Sequence, residues 1–208
     1  MSVKEMIAAR AARELKGPVV INLGVGIPTL IPKYVDDPTV FIQTENGMLG
    51  VGPRDESRID PNLVDSGKEF ITELPGASYF DSAASFGMIR GGHIDVSVLG
   101  ILQIDEHGRI ANWSVPGKNI IGVGGAMDLV DGAKKIICTM THTAKDGGLK
   151  ILRECTYPLT SLRTADMLIT DLAVFRFDNG RMRLIELMPG ASLEEVEAKT
   201  EGRFINCL

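Results

Sequence analysis

Cysteine is scarce: only Cys138, Cys155 and Cys207 occur in 208 residues. Their number is odd and none forms a CxxC pair, which excludes a zinc knuckle or a dithiol redox motif and points to reduced thiols in the cytoplasm. Long basic runs are missing too, and 22 Lys and Arg against 27 Asp and Glu leave a formal charge of −5. Nothing supplies the positive stripe that a phosphate backbone demands, so nucleic acid is not expected as a partner. No apolar run approaches the roughly 20 residues that cross a bilayer. The opening "MSVKEMIAARAARELKG" is charged throughout and lacks a signal-peptide core. A soluble, intracellular chain with no membrane partner is expected.

Several catalytic signatures are also lacking. His93, His107 and His142 stand at neither i, i+2 nor i, i+4 from one another, so they read as structural or surface histidines and no metal is expected. Ser85 and Ser114 lack the GxSxG elbow that would expose a nucleophilic hydroxyl. Cys138 lies within the apolar run "KKIICTMT", where a thiol is buried and inert. No Walker sequence and no full GxGxxG dinucleotide fingerprint occur.

What is present is a globular composition, 44% hydrophobic and 24% charged, with 23 glycines that imply many turns or close backbone approaches. In residues 3–15, Val3, Ile7, Ala11 and Leu15 recur every four positions with Met6 beside them, and Ser2 with Glu5 can form a capping box before a helix that Gly17-Pro18 stops. A β-branched strand over 18–23, a glycine loop at 24–26 and a helix opened by Pro28 follow. "TVFIQ" reads as a second strand and residues 52–67 as a loop rich in Pro, Gly and Asp.

Beyond that loop, "SAASFGMIRGG" predicts a short helix, "IDVSVLGILQID" a buried strand, "GAMDLVDG" a helix and "KKIICTMT" a strand. Asp178-Asn179-Gly180 predicts a hairpin, and Ser192 with Glu195 caps a last helix. Strands alternating with helices argue for an α/β fold, a mainly parallel sheet flanked by helices with an antiparallel C-terminal hairpin. No linker or repeat divides it, so residues 1–208 are expected to form a single domain.

Two glycine loops, at 24–26 and 122–130, each join a strand to a helix, where backbone N–H groups attract anions. Turn formation alone also accounts for such glycines. Glu45, in "TENGMLG", stands where an apolar strand ends, and strand ends in α/β sheets are where ligands bind. An arbitrary glutamate is more often a solvated loop residue, so position alone makes Glu45 a candidate and no more.

The motifs "NLGVGIPTL" (22–30), "QTENGMLGVGP" (43–53), "GKEFITELPGAS" (67–78), "SFGMIRGGHIDVSVLG" (85–100) and "ANWSVPGK…GVGGAMDLV" (111–130) occur in order. Together with "THTAKDGGLKILRECTYPLT" (141–160) and "ITDLAVFRF" (169–177) they resemble the β half of the 3-oxoacid (class I) coenzyme A-transferases over nearly the whole chain. The resemblance implies the CoA-transferase/sugar-phosphate-isomerase-like fold. It makes Glu45 the covalent catalyst, although Thr44 stands where the family usually has Ser. It also places Asn22, Lys68 and the Gly125-Ala126 backbone around that glutamate as substrate- or CoA-binding groups. No Gly-Gly-Phe-Gly run of the family's α half occurs here. A separate α subunit is therefore implied, in an α2β2 assembly.

The chemistry implied is ping-pong transfer of coenzyme A between an acyl-CoA and a free carboxylate, through a glutamyl–CoA thioester. An ordinary glutamate ionises near pH 4.3 and needs no base to act as a nucleophile at neutral pH. Asn22 or the Gly125-Ala126 backbone would stabilise the oxyanion, Lys68 would pair with a carboxylate or a coenzyme A oxygen, and no metal or redox cofactor is called for. Acetoacetate, succinate, acetate, butyrate and 3-oxoadipate all fall within the resemblance, which places the chain in ketone-body or short-chain fatty acid metabolism. Two other readings stay open: a sugar-phosphate isomerase with Glu45 as base, and a non-catalytic acyl-CoA-binding subunit.

Overall fold

Helix α1 (Val3–Ala12) begins with the expected capping box, in which the Glu5 N–H donates to Ser2 Oγ at 3.3 Å and the Ser2 N–H donates to the Glu5 carboxylate at 2.8 Å. It stops three residues before Leu15, where i→i−3 hydrogen bonds from Glu14 and Leu15 tighten the chain ahead of Gly17, at φ 79°. The computed structural model describes residues 1–117 and 122–208. Strand β1 (Val19–Leu23) follows, then the helix opened by Pro28, which is a 3-10 helix (Ile27–Tyr34) and not an α-helix. The reason is local: Pro32 has no N–H to give to the carbonyl of Pro28 four residues back.

Strand β2 (Val40–Thr44) turns into β3 (Met48–Gly52), which pairs with β4 (Thr72–Tyr79). These last two strands are not expected from the sequence. Gly50 at φ 94° breaks the β3 register, and Pro75-Gly76 interrupts β4, residues that read as loop but are tolerated at a sheet edge and at a bulge. Helix α2 (Ser82–Arg90) is capped by Asp81, whose carboxylate accepts from the Ala84 N–H at 2.8 Å. The single strand expected over 94–105 is two: β5 (Val96–Gly100) stays in the main sheet, while β6 (Gln103–Asp105) leaves it.

The small second sheet joins β6 to β7 (Ile110–Ala111) and β9 (Ile151–Leu152). Helix α3 (Ala126–Gly132), β8 (Lys135–Thr139) and β10 (Met167–Ile169) return to the main sheet. β11 (Ala173–Asp178), β12 (Arg181–Leu187), α4 (Leu193–Ala198) and β13 (Phe204–Asn206) complete the chain.

Among the described residues the main sheet has ten strands in the order β13-β12-β11-β10-β8-β5-β1-β2-β3-β4. The middle five, β10 to β2, run parallel, and antiparallel pairs flank them on both sides. The fold is thus α/β with a mostly parallel central sheet, and the C-terminal hairpin β11–β12 is matched by a second antiparallel pair, β2–β3. Alternate residues serve opposite faces, as the period of two requires. Ile136, Cys138 and Leu168 pack with Leu129 of α3 and Val196 of α4 on one face, whereas Ile137, Met167 and Ile169 pack with Ile7 and Ala11 of α1 on the other.

From β1 the chain moves to β2 on one side and later to β5 on the other. The carboxyl end of β1 is therefore a topological switch point, where the strand order reverses and a crevice opens.

Candidate active site

The glycine loop after β1 lies in that crevice. The Gly24 N–H donates to the Val98 carbonyl at 2.8 Å, and a Cβ on Gly100 would stand 2.8 Å from the Val25 carbonyl oxygen, so the ends of β1 and β5 touch through backbone alone. A cleft of about 550 Å³ opens there, lined by Leu102, Trp113, Val115 and residues 122–126 among others. The chain's one tryptophan is steadied there by its indole N–H, which donates to the Leu159 carbonyl at 3.3 Å.

Glu45 projects into this cleft from a three-residue turn between β2 and β3. The Gly47 N–H closes the turn on the Thr44 carbonyl at 3.0 Å. Gly47 has φ 128°, and an added Cβ there would collide with the Phe80 carbonyl oxygen, so the position accepts only glycine. Side chains then tie the turn to the segment before β4. Thr44 Oγ1 donates to Asn46 Oδ1 at 2.5 Å and accepts from the Ser66 N–H at 3.1 Å, while the Asn46 amide donates to the Val64 carbonyl at 2.8 Å. Thr44 therefore supplies both hydrogen bonds that a serine hydroxyl would supply.

Across the cleft Gly125 faces the glutamate so closely that a Cβ on it would lie 2.8 Å from the Glu45 carboxyl carbon. Burial of the half-buried carboxyl raises its pKa, the Gly125 N–H hydrogen bond opposes that rise, and the negative charge of Asp128 adds to it. Asp128 is itself held by Arg90 of α2, Nε to Oδ1 at 2.6 Å. The arrangement is a carboxylate in a partly dry cleft, faced by a backbone N–H and bordered by apolar walls. It suits covalent exchange at a carbonyl.

Of the residues singled out in the sequence, Glu45, Gly125 and Ala126 line one cleft. Asn22 does not reach into it. It is 1% exposed beneath the floor, and its amide donates to Gln43 Oε1 at 2.6 Å and to the Gln43 carbonyl at 3.3 Å. Lys68 is exposed, in a left-handed conformation at φ 65°, on the loop closed by the Val64–Phe70 bridge. Its neighbour Ser66 lines the cleft instead.

Sequence reasoning misses Ser66, Trp113 and Gln43. Only Gln43 carries a signal, a polar side chain ending an apolar strand. Elsewhere, His142 is buried between Thr170 and Thr200, with its pKa lowered to about 4 by burial. Cys138 is fully buried and its thiol pKa is pushed up. Among the described residues no group of three or more His, Cys, Asp or Glu is placed to hold a metal, and no helix is long and apolar enough to cross a membrane.

Residues 4–199 match the family model described as coenzyme A transferase. The chain belongs to the coenzyme A transferase family. It is 52% identical over 205 residues to the β subunit of the acetate CoA-transferase of Escherichia coli K12, covering 98% of this chain and 94% of that one. It is 50% identical over 203 residues to the corresponding subunit of the succinyl-CoA:3-ketoacid coenzyme A transferase of Helicobacter pylori 26695, covering 97% and 98%. Among solved structures it is similar to the acyl-CoA transferase YdiF of Escherichia coli O157:H7 in its thioester complex with CoA, at 25% identity and a TM-score of 0.78. That match covers 99% of this chain and 42% of the longer YdiF chain.

Proposed function

We propose that this chain is the β subunit that carries the covalent catalyst of a CoA-transferase, and that the catalyst is Glu45. The observation that bears most weight is the Glu45 carboxyl, raised in pKa by burial and set against the Gly125 N–H in a cleft at the switch point. A carboxylate of raised pKa is a stronger nucleophile than an ordinary one. In the first step a Glu45 oxygen attacks the acyl-CoA carbonyl, the C–S bond breaks, and an acyl–glutamyl anhydride and a coenzyme A thiolate form. The thiolate then attacks the glutamyl carbonyl. A C–S bond forms, the anhydride C–O bond breaks and the donor acid leaves as its carboxylate. An acceptor carboxylate reverses the two steps.

Each addition places negative charge on a carbonyl oxygen, and the Gly125 N–H, which already faces the glutamate, is the donor placed to meet it, while the Ala126 N–H is turned to the Val123 carbonyl at 3.2 Å. The family resemblance assigns Asn22 to that task as well, but its amide hydrogens are engaged by Gln43, which leaves the Gly125 N–H the better fit. A separate α subunit completes the enzyme, as the subunit names of the two relatives suggest, and the α2β2 assembly and its place in the cytoplasm are part of this proposal. The substrates are short-chain acids of the acetate, acetoacetate and succinate kind, and no cofactor beyond coenzyme A as substrate takes part.

The test is incubation of the co-purified complex with acyl-CoA in the absence of acceptor. A hydroxylamine-sensitive CoA adduct should map to Glu45 by mass spectrometry, and Glu45→Ala should lower transfer by at least about a thousandfold. An adduct on another residue, or full turnover by Glu45→Ala, would overturn the reading.

A further inference from the structure

Beneath the floor of the Glu45 cleft lies a layer of buried polar side chains. Ser97 of β5, Asn22 of β1 and Gln43 of β2 are cross-strand neighbours in register, and Ser85 of α2 covers them. All four are at most 2% exposed. Two residues further along the same strands and on the same face stand Leu99, Gly24 and Glu45, which form the cleft floor. The polar layer thus supports the catalytic floor directly.

Its hydrogen bonds form a chain centred on Gln43. Gln43 Oε1 accepts from the Asn22 amide at 2.6 Å, and Gln43 Nε2 donates to Ser85 Oγ at 2.8 Å. The Asn22 amide also donates to the Gln43 backbone carbonyl at 3.3 Å, which fixes its orientation, because the reversed amide would set two acceptors against each other. The layer is expensive: among the described residues Asn22 Oδ1 and Ser97 Oγ are buried without a hydrogen-bond partner. Such groups lower stability, and apolar side chains of similar shape would fill the same space at little or no cost. Polar residues in this layer therefore serve something other than stability, and what sits immediately above them is the reacting carboxylate.

We infer that Gln43 is a positioning residue for Glu45: bonded to β1 through Asn22 and to α2 through Ser85, it fixes the height and direction of the strand end from which Glu45 enters the cleft. The inference rests on the proposed role of Glu45. A displacement of about 1 Å at a reacting group costs up to roughly a hundredfold in rate, so a loosened strand end should slow bond formation without changing acyl-CoA affinity.

The readout is single-turnover formation of the Glu45 adduct in the co-purified complex. Gln43→Met should slow it at least about tenfold, with half-saturation by acyl-CoA within about twofold of native. Gln43→Glu keeps the shape, still accepts from Asn22 and can accept from the Ser85 hydroxyl. It should recover the rate to within roughly threefold at alkaline pH, and its new charge beneath Glu45 should move the acid limb upward by about half a unit or more. The groups facing Glu45 in that titration are Asp128 of α3, paired with Arg90 of α2, the Gly125 N–H, Ser66, and the uncharged Gly24 and Leu99 of the floor.

A Gln43→Met complex that forms the adduct at the native rate would overturn the inference. So would a Gln43→Glu complex that is as slow as the Met variant and unshifted in pH. Should Gln43→Met not fold, Ser85→Ala, which removes only the anchor on α2, decides: about threefold slowing supports the inference and an unchanged rate overturns it. If native complex forms no adduct on Glu45, the proposed function has failed, an outcome distinct from a native adduct insensitive to Gln43.

Discussion

Two Asn-Gly dipeptides close hairpins near opposite edges of the ten-stranded sheet, and they do so by different physics. Asn179-Gly180 joins β11 to β12 as a two-residue loop with both residues at positive φ, 52° and 71°, the geometry of a type I′ turn. Both are exposed, and a Cβ on Gly180 would meet nothing within 4 Å. Asn46-Gly47 belongs to a three-residue loop between β2 and β3 that is tied to the rest of the fold, with Gly47 buried although Asn46 is exposed. Gly47 lies against Phe80, Asn46 is bonded to Val64 and Thr44, and Thr44 is bonded to Ser66. The first turn is made by local backbone preference; the second is held by tertiary contacts. A turn that must aim a carboxylate needs the second kind.

The glycines test that contrast most strongly. Gly47→Ala combines a positive φ with a collision against a backbone carbonyl, and should cost about 3 kcal/mol of stability and abolish transfer. Gly180→Ala meets only the backbone penalty and should cost about 1 kcal/mol, with turnover unchanged. Denaturant unfolding and transfer assays on the two variants compare them directly. Equal losses would mean that the site hairpin is no more constrained than its counterpart.

The hydroxyl of Thr44 comes next in size. Thr44→Val keeps the shape but leaves the Ser66 N–H without its acceptor and Asn46 without its donor, so a loss of about 1–2 kcal/mol and a several-fold fall in turnover are expected. Thr44→Ser retains both bonds and should stay within about twofold of native turnover, measured at saturating acyl-CoA. A valine variant as active as the serine variant would show that the clamp does not aim the glutamate.

The same contrast explains what is legible in the sequence. The capping box of α1 and the C-terminal hairpin are written in neighbouring residues, and they appear where the local signals place them. Strands β3 and β4 are not, because Gly50, Gly52, Pro75 and Gly76 read as loop and become strand only once β2 offers an edge. Pro32 is visible, yet a helix opened by Pro28 masks its effect of tightening the turns to 3-10. Glu45 stands out as a strand-end carboxylate, but its closeness to Gly125, some 80 positions later, is a product of the parallel sheet. Gln43 and Ser66 acquire meaning only through partners that local pattern cannot supply. Lys68 and Asn22, drawn from motif order alone, lie outside the cleft wall and beneath its floor.

The smallest effect sharpens the comparison by making one change in both dipeptides. Asn179→Asp keeps a residue that tolerates positive φ in an exposed turn, and should be neutral within about 0.5 kcal/mol. Asn46→Asp still accepts from Thr44 but loses its donation to Val64 and adds a charge beside Glu45. Glu45 is already raised by burial and by Asp128, and a further negative neighbour raises it again. In the proposed mechanism the ionised form is the attacking one and is lost as pH falls through that pKa, so the acid limb of adduct formation should move upward, by about 0.3 units given the exposure of Asn46. Added salt should shrink the shift, since exposed charges are screened. An acid limb unmoved at low salt would mean that Glu45 ionises independently of its turn, leaving the cleft behind it, Gly125 and Asp128, as the source of its electrostatic setting.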